Sequence, residues 1–109
     1  MKQHNKLVRD KILEIISAEG TNYKSRILDD EEYKKELLKK LVEEADEVFQ
    51  TNGDRRELVK ELGDVREVIE SIIKTFELDQ AEIQKVKQER KDSRGGFDQK
   101  IYLESTEED

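Results

Sequence analysis

The fold is decided by the longest periodic part of the chain, residues 37–65, which read LLKKLVEEADEVFQTNGDRRELVKELGDV. Apolar residues recur there at spacings of three and four on both sides of Thr51-Asn52-Gly53, a sequence typical of a tight turn. This spacing predicts two helices, one over about residues 30–50 and one over about residues 54–76. Because a short connection leaves neighbouring helices antiparallel, we expect a helical hairpin at the centre of the fold.

Outside this hairpin, the sequence predicts flanking helices that complete an all-α fold. A first helix is expected from about Lys6 to Glu19, ended by Gly20, and residues 21–29 are expected to form a connector. Asp29, Asp54 and Asp79 stand where N-terminal caps are expected, the last before a fourth helix. The residues Ile101-Tyr102-Leu103 suggest a short extended segment. We expect one domain over residues 1–103 and a disordered acidic tail over residues 104–109.

Composition limits both the location and the partners of the chain. It has 109 residues with 28 Asp or Glu, 21 Lys or Arg and a net charge of −7, and only 33% are hydrophobic. We expect no membrane span and no secretory signal, because no apolar run is long enough. The absence of cysteine excludes thiolate chemistry and fits a cytoplasmic protein, and the acidity argues against nucleic acid as a partner. A core this small favours self-association.

Four acidic residues of the central stretch are predicted to converge. On a helical wheel, Glu44 and Glu47 lie on one flank of the second helix, and Glu61 and Asp64 lie on the same flank of the third. Counted from Gly53, the centres of the two pairs differ in level by roughly 3 Å. Clustered carboxylates either raise one another's pKa or bind a cation, and oxygen ligands alone favour Mg²⁺. The alternative is that these acids are the solvated faces of charged helices.

These acids also belong to a recognisable pattern. Glu44-x-x-Glu47, thirteen residues and then Glu61-x-x-Asp64 resemble the E-x-x-E…E-x-x-D pattern of the all-α nucleotide pyrophosphohydrolases, the MazG-like superfamily. Two further blocks, NKLVRDKI at 5–12 and RGGFDQKIYL at 94–103, resemble its small stand-alone branch, often labelled phosphoribosyl-ATP pyrophosphohydrolase-like. The resemblance covers residues 5–104.

The resemblance implies a MazG-like helical bundle, assembled as a homodimer or homotetramer, that hydrolyses nucleoside triphosphates to monophosphate and pyrophosphate. Such an activity would remove non-standard nucleotides. It implies that Glu44, Glu47, Glu61 and Asp64 bind Mg²⁺, with Mn²⁺ as an alternative ion. Glu47 is the first candidate for the general base, because it lies furthest from the apolar stripe. Glu43 is a weaker catalytic candidate, because its wheel position favours a solvated residue or a subunit contact.

Basic residues in the two outer blocks are candidates for contact with the triphosphate. They are Lys6, Arg9, Arg94 and Lys100, and the alternative for each is ordinary surface charge. The net charge permits such a substrate, because four of the acids lie in the tail and four in the predicted site. Without those eight acids, the chain has 20 acidic and 21 basic residues.

Three further points stay open at the level of sequence. A phosphoribosyl-ATP pyrophosphohydrolase of histidine synthesis would share the acid pattern. The other alternative is a helical interaction module that kept the fold and lost activity. The complete set of four acids counts against the inactive module. Gly63 should cost its helix about 1 kcal/mol relative to alanine. Close helix approach, space beside Asp64 or simple tolerance would each account for it.

Overall fold

Residues 2–107 are described by a computed structural model, and within that range the chain forms four helices and no strand. The helices are α1 (Ile12–Ala18), α2 (Asp30–Gln50), α3 (Arg55–Thr75) and α4 (Gln80–Arg94). The predicted all-α class is therefore confirmed. Residues 101–103, expected to be extended, belong to neither a helix nor a strand.

The hairpin of α2 and α3 forms through side-chain caps and a tight turn. The Asp29 carboxylate accepts a hydrogen bond from the Glu32 amide at 2.8 Å, and Asp54 accepts one from the Glu57 amide at 3.3 Å. Between the helices, Asn52 and Gly53 both have left-handed backbone conformations, with φ of 51° and 84°. Asparagine and glycine adopt this conformation at the lowest cost, so the chain reverses within four residues.

The first helix is shorter than the sequence predicts. It begins at Ile12, not near Lys6, and Lys11 at its N-terminal boundary provides no side-chain cap. The spacing of five between Leu7 and Ile12 explains the error, because it turns Leu7 about 140° away from Ile12 on a helix. The predicted end at Gly20 is confirmed: its φ is 78°, and the amides of Gly20 and Thr21 donate to the carbonyls of Ser17 and Ile16.

The hairpin packs around a small apolar core. Its buried hydrophobic residues are Leu37 and Val68, which are 3% and 9% exposed. Leu37 is thirteen residues before the end of α2 and Val68 is thirteen residues after the start of α3, so the two lie at the same level of the hairpin. The other apolar residues of both helices are only partly covered. Val42, Phe49, Val59 and Leu62 stay largely exposed within the described part of the chain.

The backbone contacts divide the chain into two compact units, one up to Glu77 and one from Leu78 onward. The second unit contains α4, which is capped by the Asp79 carboxylate at its start and by Gly95 directly after its last residue, Arg94. Residues 104–107 of the acidic tail are exposed and irregular, and residues 108 and 109 lie outside the described range. The single domain over residues 1–103 and the disorder of the tail stay predictions. None of the helices in residues 2–107 is both long enough and apolar enough to cross a bilayer.

Candidate metal centre

Three of the four predicted acids meet on one side of the hairpin. Carboxylate oxygens of Glu44, Glu61 and Asp64 all lie within 4.8 Å of one another. Glu61 is buried, with 8% of its surface exposed, while Glu44 and Asp64 are half-buried. We call these three residues the carboxylate cluster. Three negative groups at this distance, one of them buried, are unfavourable unless cations neutralise them.

The position of each residue along its helix explains why Glu44 and Glu61 meet. Glu44 is six residues before the end of α2, and Glu61 is six residues after the start of α3. In an antiparallel hairpin these two positions lie at the same level. Asp64 is one helical turn beyond Glu61, so its carboxylate projects from the same flank of α3.

Among the residues that the structure describes, the cluster does not include Glu47, whose side chain is exposed. The chain directions of α2 and α3 are opposite. Glu47 therefore lies nearer the turn than Glu44, whereas Asp64 lies further from the turn than Glu61. Glu47 and Asp64 therefore differ in level by six residues, or about 9 Å. The centres of the two acid pairs lie at nearly the same level, so a comparison of centres does not reveal this difference. A metal-binding role for Glu47 stays a prediction.

Burial and the neighbouring charges shift the pKa of Glu44. Burial raises the pKa of the Glu44 carboxyl above its ordinary value, and Lys40 opposes that shift. The negative charges of Asp64, Glu61 and Glu47 then raise the pKa further. Glu47 thus lies close enough to act on Glu44 through its charge.

Each member of the cluster has one basic partner in the described chain. Lys40 Nζ lies 3.8 Å from Glu44 Oε1, Lys60 Nζ lies 3.8 Å from Glu61 Oε1, and Arg9 Nη2 lies 2.8 Å from Asp64 Oδ1. Lys40 also lies 3.2 Å from Glu43 Oε2 and is shared between two carboxylates. A basic side chain therefore offsets part of the negative charge of each carboxylate.

The donor set fits a hard divalent cation. It consists of carboxylate oxygens, without the nitrogen or sulfur ligands that favour zinc or copper. Mg²⁺ commonly uses one or two carboxylates together with water and phosphate oxygens, and the exposed side of Asp64 leaves access for both. The chemistry of the cluster is therefore compatible with Mg²⁺, and equally with Mn²⁺.

The remaining predicted residues are distributed between the two units. In the first unit, Lys6 is exposed and Glu43 pairs with Lys40. In the second unit, Arg94 lines a depression of about 240 Å³ together with Gly95, Gly96 and Ile101, and Lys100 is exposed. None of the three ion pairs of the cluster is among the predictions from sequence. The spacing of Lys40 from Glu44 would have predicted one of them.

A comparison of the chain with models of known protein families, with curated proteins and with solved structures found no match in any of the three.

Proposed function

We propose that this protein is a Mg²⁺-dependent nucleoside triphosphate pyrophosphohydrolase. The observation that carries the proposal is the convergence of Glu44, Glu61 and Asp64 on one flank of an antiparallel hairpin. The resemblance of the E-x-x-E…E-x-x-D pattern to the MazG-like pyrophosphohydrolases supplies the reaction class. The products are a nucleoside monophosphate and pyrophosphate.

The three clustered carboxylates hold the metal in this proposal. A Mg²⁺ ion held by these residues would neutralise charge on the phosphates and lower the pKa of a coordinated water. Glu47 lies one turn from Glu44 on α2 and is exposed, so its carboxylate is available to accept a proton from the attacking water. Glu43 is less suited to this role, because Lys40 lies 3.2 Å from one of its oxygens.

Basic side chains bind the triphosphate in this proposal. Lys6 and Arg9 belong to the unit that contains the cluster, and Arg9 already contacts one of its members. Lys100 and Arg94 belong to the second unit, and their contact with phosphate stays a prediction from the resemblance. A nucleotide substrate implies a cytoplasmic location.

We also propose that the chain assembles with copies of itself, as a dimer or a tetramer. The support is the exposed apolar surface of the hairpin, which comprises Val42, Phe49, Val59 and Leu62. On helical wheels, Val42 and Phe49 lie on the other side of Leu37 from Glu44, and Leu62 lies on the other side of Val68 from Asp64. Association through Val42, Phe49 and Leu62 therefore leaves the carboxylates of Glu44 and Asp64 open to substrate.

Pyrophosphate release from a panel of nucleoside triphosphates tests the proposed reaction. Phosphoribosyl-ATP belongs in the panel, because it separates the general activity from the enzyme of histidine synthesis. We expect release with at least one nucleoside triphosphate, dependent on Mg²⁺ and abolished by a chelator. No activity with any compound would favour an inactive interaction module, and activity unchanged by chelation would exclude a metal centre.

Variants of α2 test whether the cluster is the site. Glu44→Gln removes a charged ligand without changing the size of the side chain, and we expect turnover to fall by at least about 100-fold. Asp46→Asn is the matched control, because Asp46 is on the same helix, is exposed and is not in the cluster. Equal activity in both variants would remove Glu44 from the site.

A further inference from the structure

The guanidinium of Arg9 connects the N-terminal segment of the chain to the carboxylate cluster. Its Nη2 donates a hydrogen bond to Asp64 Oδ1 at 2.8 Å, across 55 positions of sequence. The backbone of Arg9 is itself held at the start of α1, because its carbonyl accepts a hydrogen bond from the Ile12 amide at 3.1 Å. The Arg9 side chain therefore extends to Asp64 of α3 from a backbone position that is hydrogen-bonded to the first residue of α1.

This ion pair differs in kind from the other two in the cluster. Lys40 precedes Glu44 by four residues, a spacing that brings two side chains together on a helix. Lys60 directly precedes Glu61 in the sequence, so this contact is also local. Both contacts are 3.8 Å long, which is beyond hydrogen-bond distance. Arg9 makes a hydrogen bond that only the tertiary fold can produce.

We propose that Arg9 is an exchangeable counter-ion: it pairs with Asp64 in the metal-free chain, leaves that carboxylate when the metal binds, and then binds the substrate phosphates. The inference rests on the proposed function, because it requires a metal at Asp64 and a phosphate group beside it. Arg9 would thereby link the binding of metal to the binding of substrate.

The exposure of the pair makes the exchange feasible. The side chain of Arg9 is 59% exposed and that of Asp64 is 33% exposed, and ion pairs so accessible to water are weak. A divalent ion on the same carboxylate repels a guanidinium at hydrogen-bond distance. The released guanidinium has five N–H donors in a planar fork, a geometry that matches phosphate oxygens.

The exchange predicts effects of opposite sign when Arg9 is removed. Without phosphate, Arg9 competes with the metal for Asp64, so its loss strengthens metal binding. With phosphate present, Arg9 holds the ligand, so its loss weakens binding. A residue that only stabilised the fold would not change the two affinities in opposite directions.

The experiment compares wild type, Arg9→Ala and Arg26→Ala by calorimetry. Arg26 is the matched control: it is 67% exposed, it pairs with Glu32 at 2.6 Å, and its loss changes the net charge equally. Glu32 lies twelve residues before Glu44 on α2, or about 18 Å along the helix. Each protein is titrated with MgCl₂ alone, and then with an α,β-methylene nucleoside triphosphate at saturating Mg²⁺.

We expect Arg9→Ala to bind Mg²⁺ alone about fivefold more tightly than wild type, the scale of an exposed ion pair. It should bind the nucleotide analogue at least about tenfold more weakly. Arg26→Ala should match wild type in both titrations. Unchanged or weaker Mg²⁺ binding by Arg9→Ala, or unchanged analogue binding, would overturn the exchange while leaving the metal centre in place.

A second measurement uses the wild-type chain and does not depend on the folding of a variant. The NMR signal of the Arg9 side-chain Nε–H should move when Mg²⁺ is added and move again when the analogue is added. A signal that ignores Mg²⁺ in a chain that binds it would contradict the exchange alone. A wild-type chain that binds no Mg²⁺ would contradict both the exchange and the proposed function.

Discussion

At the scale of single residues, the ionised carboxylate of Glu44 lowers the stability of the folded hairpin. Burial and the neighbouring negative charges raise the pKa of Glu44, so the folded state holds its proton more tightly than the unfolded chain. The stabilisation from this group is complete below its ordinary pKa of 4.5 and is lost as the pH rises through the raised value. At neutral pH and without metal, an ionised Glu44 therefore destabilises the hairpin.

We predict that Glu44→Gln stabilises the metal-free protein at pH 7 while it removes activity. The gain in the free energy of unfolding should be about 0.5–1 kcal/mol, the usual scale for relieving an unfavourable charge. Urea denaturation in the presence of a chelator measures it, and the difference from wild type should disappear below about pH 4. If Glu44→Gln is less stable than wild type at pH 7, the attraction of Lys40 for Glu44 outweighs the burial and charge repulsion that raise the Glu44 pKa.

At the scale of elements, two glycines of the hairpin have different roles. A Cβ added at Gly63 in α3 would meet nothing within 4 Å, and one added at Gly53 would also find open space. The difference lies in the backbone, because Gly53 has a φ of 84° and Gly63 is helical. Within the described chain, therefore, no close helix approach explains Gly63.

We predict that the same substitution has opposite effects at these two positions. Gly63→Ala should raise the free energy of unfolding by about 1 kcal/mol, because alanine is the better helix former. Gly53→Ala should lower it by about 1 kcal/mol, because alanine is strained in the left-handed conformation. Thermal denaturation of both variants measures the effects. A destabilising Gly63→Ala would indicate that a second copy packs closely against this part of α3.

The sequence predicts the local features of the helices better than their tertiary contacts. Asp54 and Gly53 identify the cap and the turn because both act within a few residues of their own position. The predicted start of α1 near Lys6 is wrong, because Leu7 is five residues before Ile12 and does not share its side of a helix. The pair of Arg9 and Asp64 was not predictable, since 55 residues separate its members and no local spacing links them.

At the scale of the whole molecule, the hairpin buries little apolar surface. Its two buried hydrophobic residues contrast with side chains such as Phe49 and Val42, which are 76% and 69% exposed. Burying a large apolar side chain contributes roughly 1.5–3 kcal/mol, so this surface offers a considerable gain on association. Small domains commonly need such additional burial to be stable.

We predict that the protein self-associates through this surface and that Val42→Asp disrupts the assembly. Sedimentation should show a dimer or tetramer for wild type and a dissociation constant raised by at least about tenfold for Val42→Asp. Gln50→Asp is the matched control, because it adds the same charge to α2 at an exposed polar position. The melting temperature of wild type should rise with protein concentration. A monomeric wild type would contradict this prediction.

In our central proposal, the carboxylate cluster is the metal centre for cleavage between the α- and β-phosphates. The most direct measurement follows the products of a nucleoside triphosphate by ³¹P NMR with Mg²⁺, for wild type, Glu61→Gln and the α3 control Glu67→Gln. We predict monophosphate and pyrophosphate from wild type and Glu67→Gln, and no turnover by Glu61→Gln. Formation of a nucleoside diphosphate and inorganic phosphate would contradict this proposal, and so would a fully active Glu61→Gln.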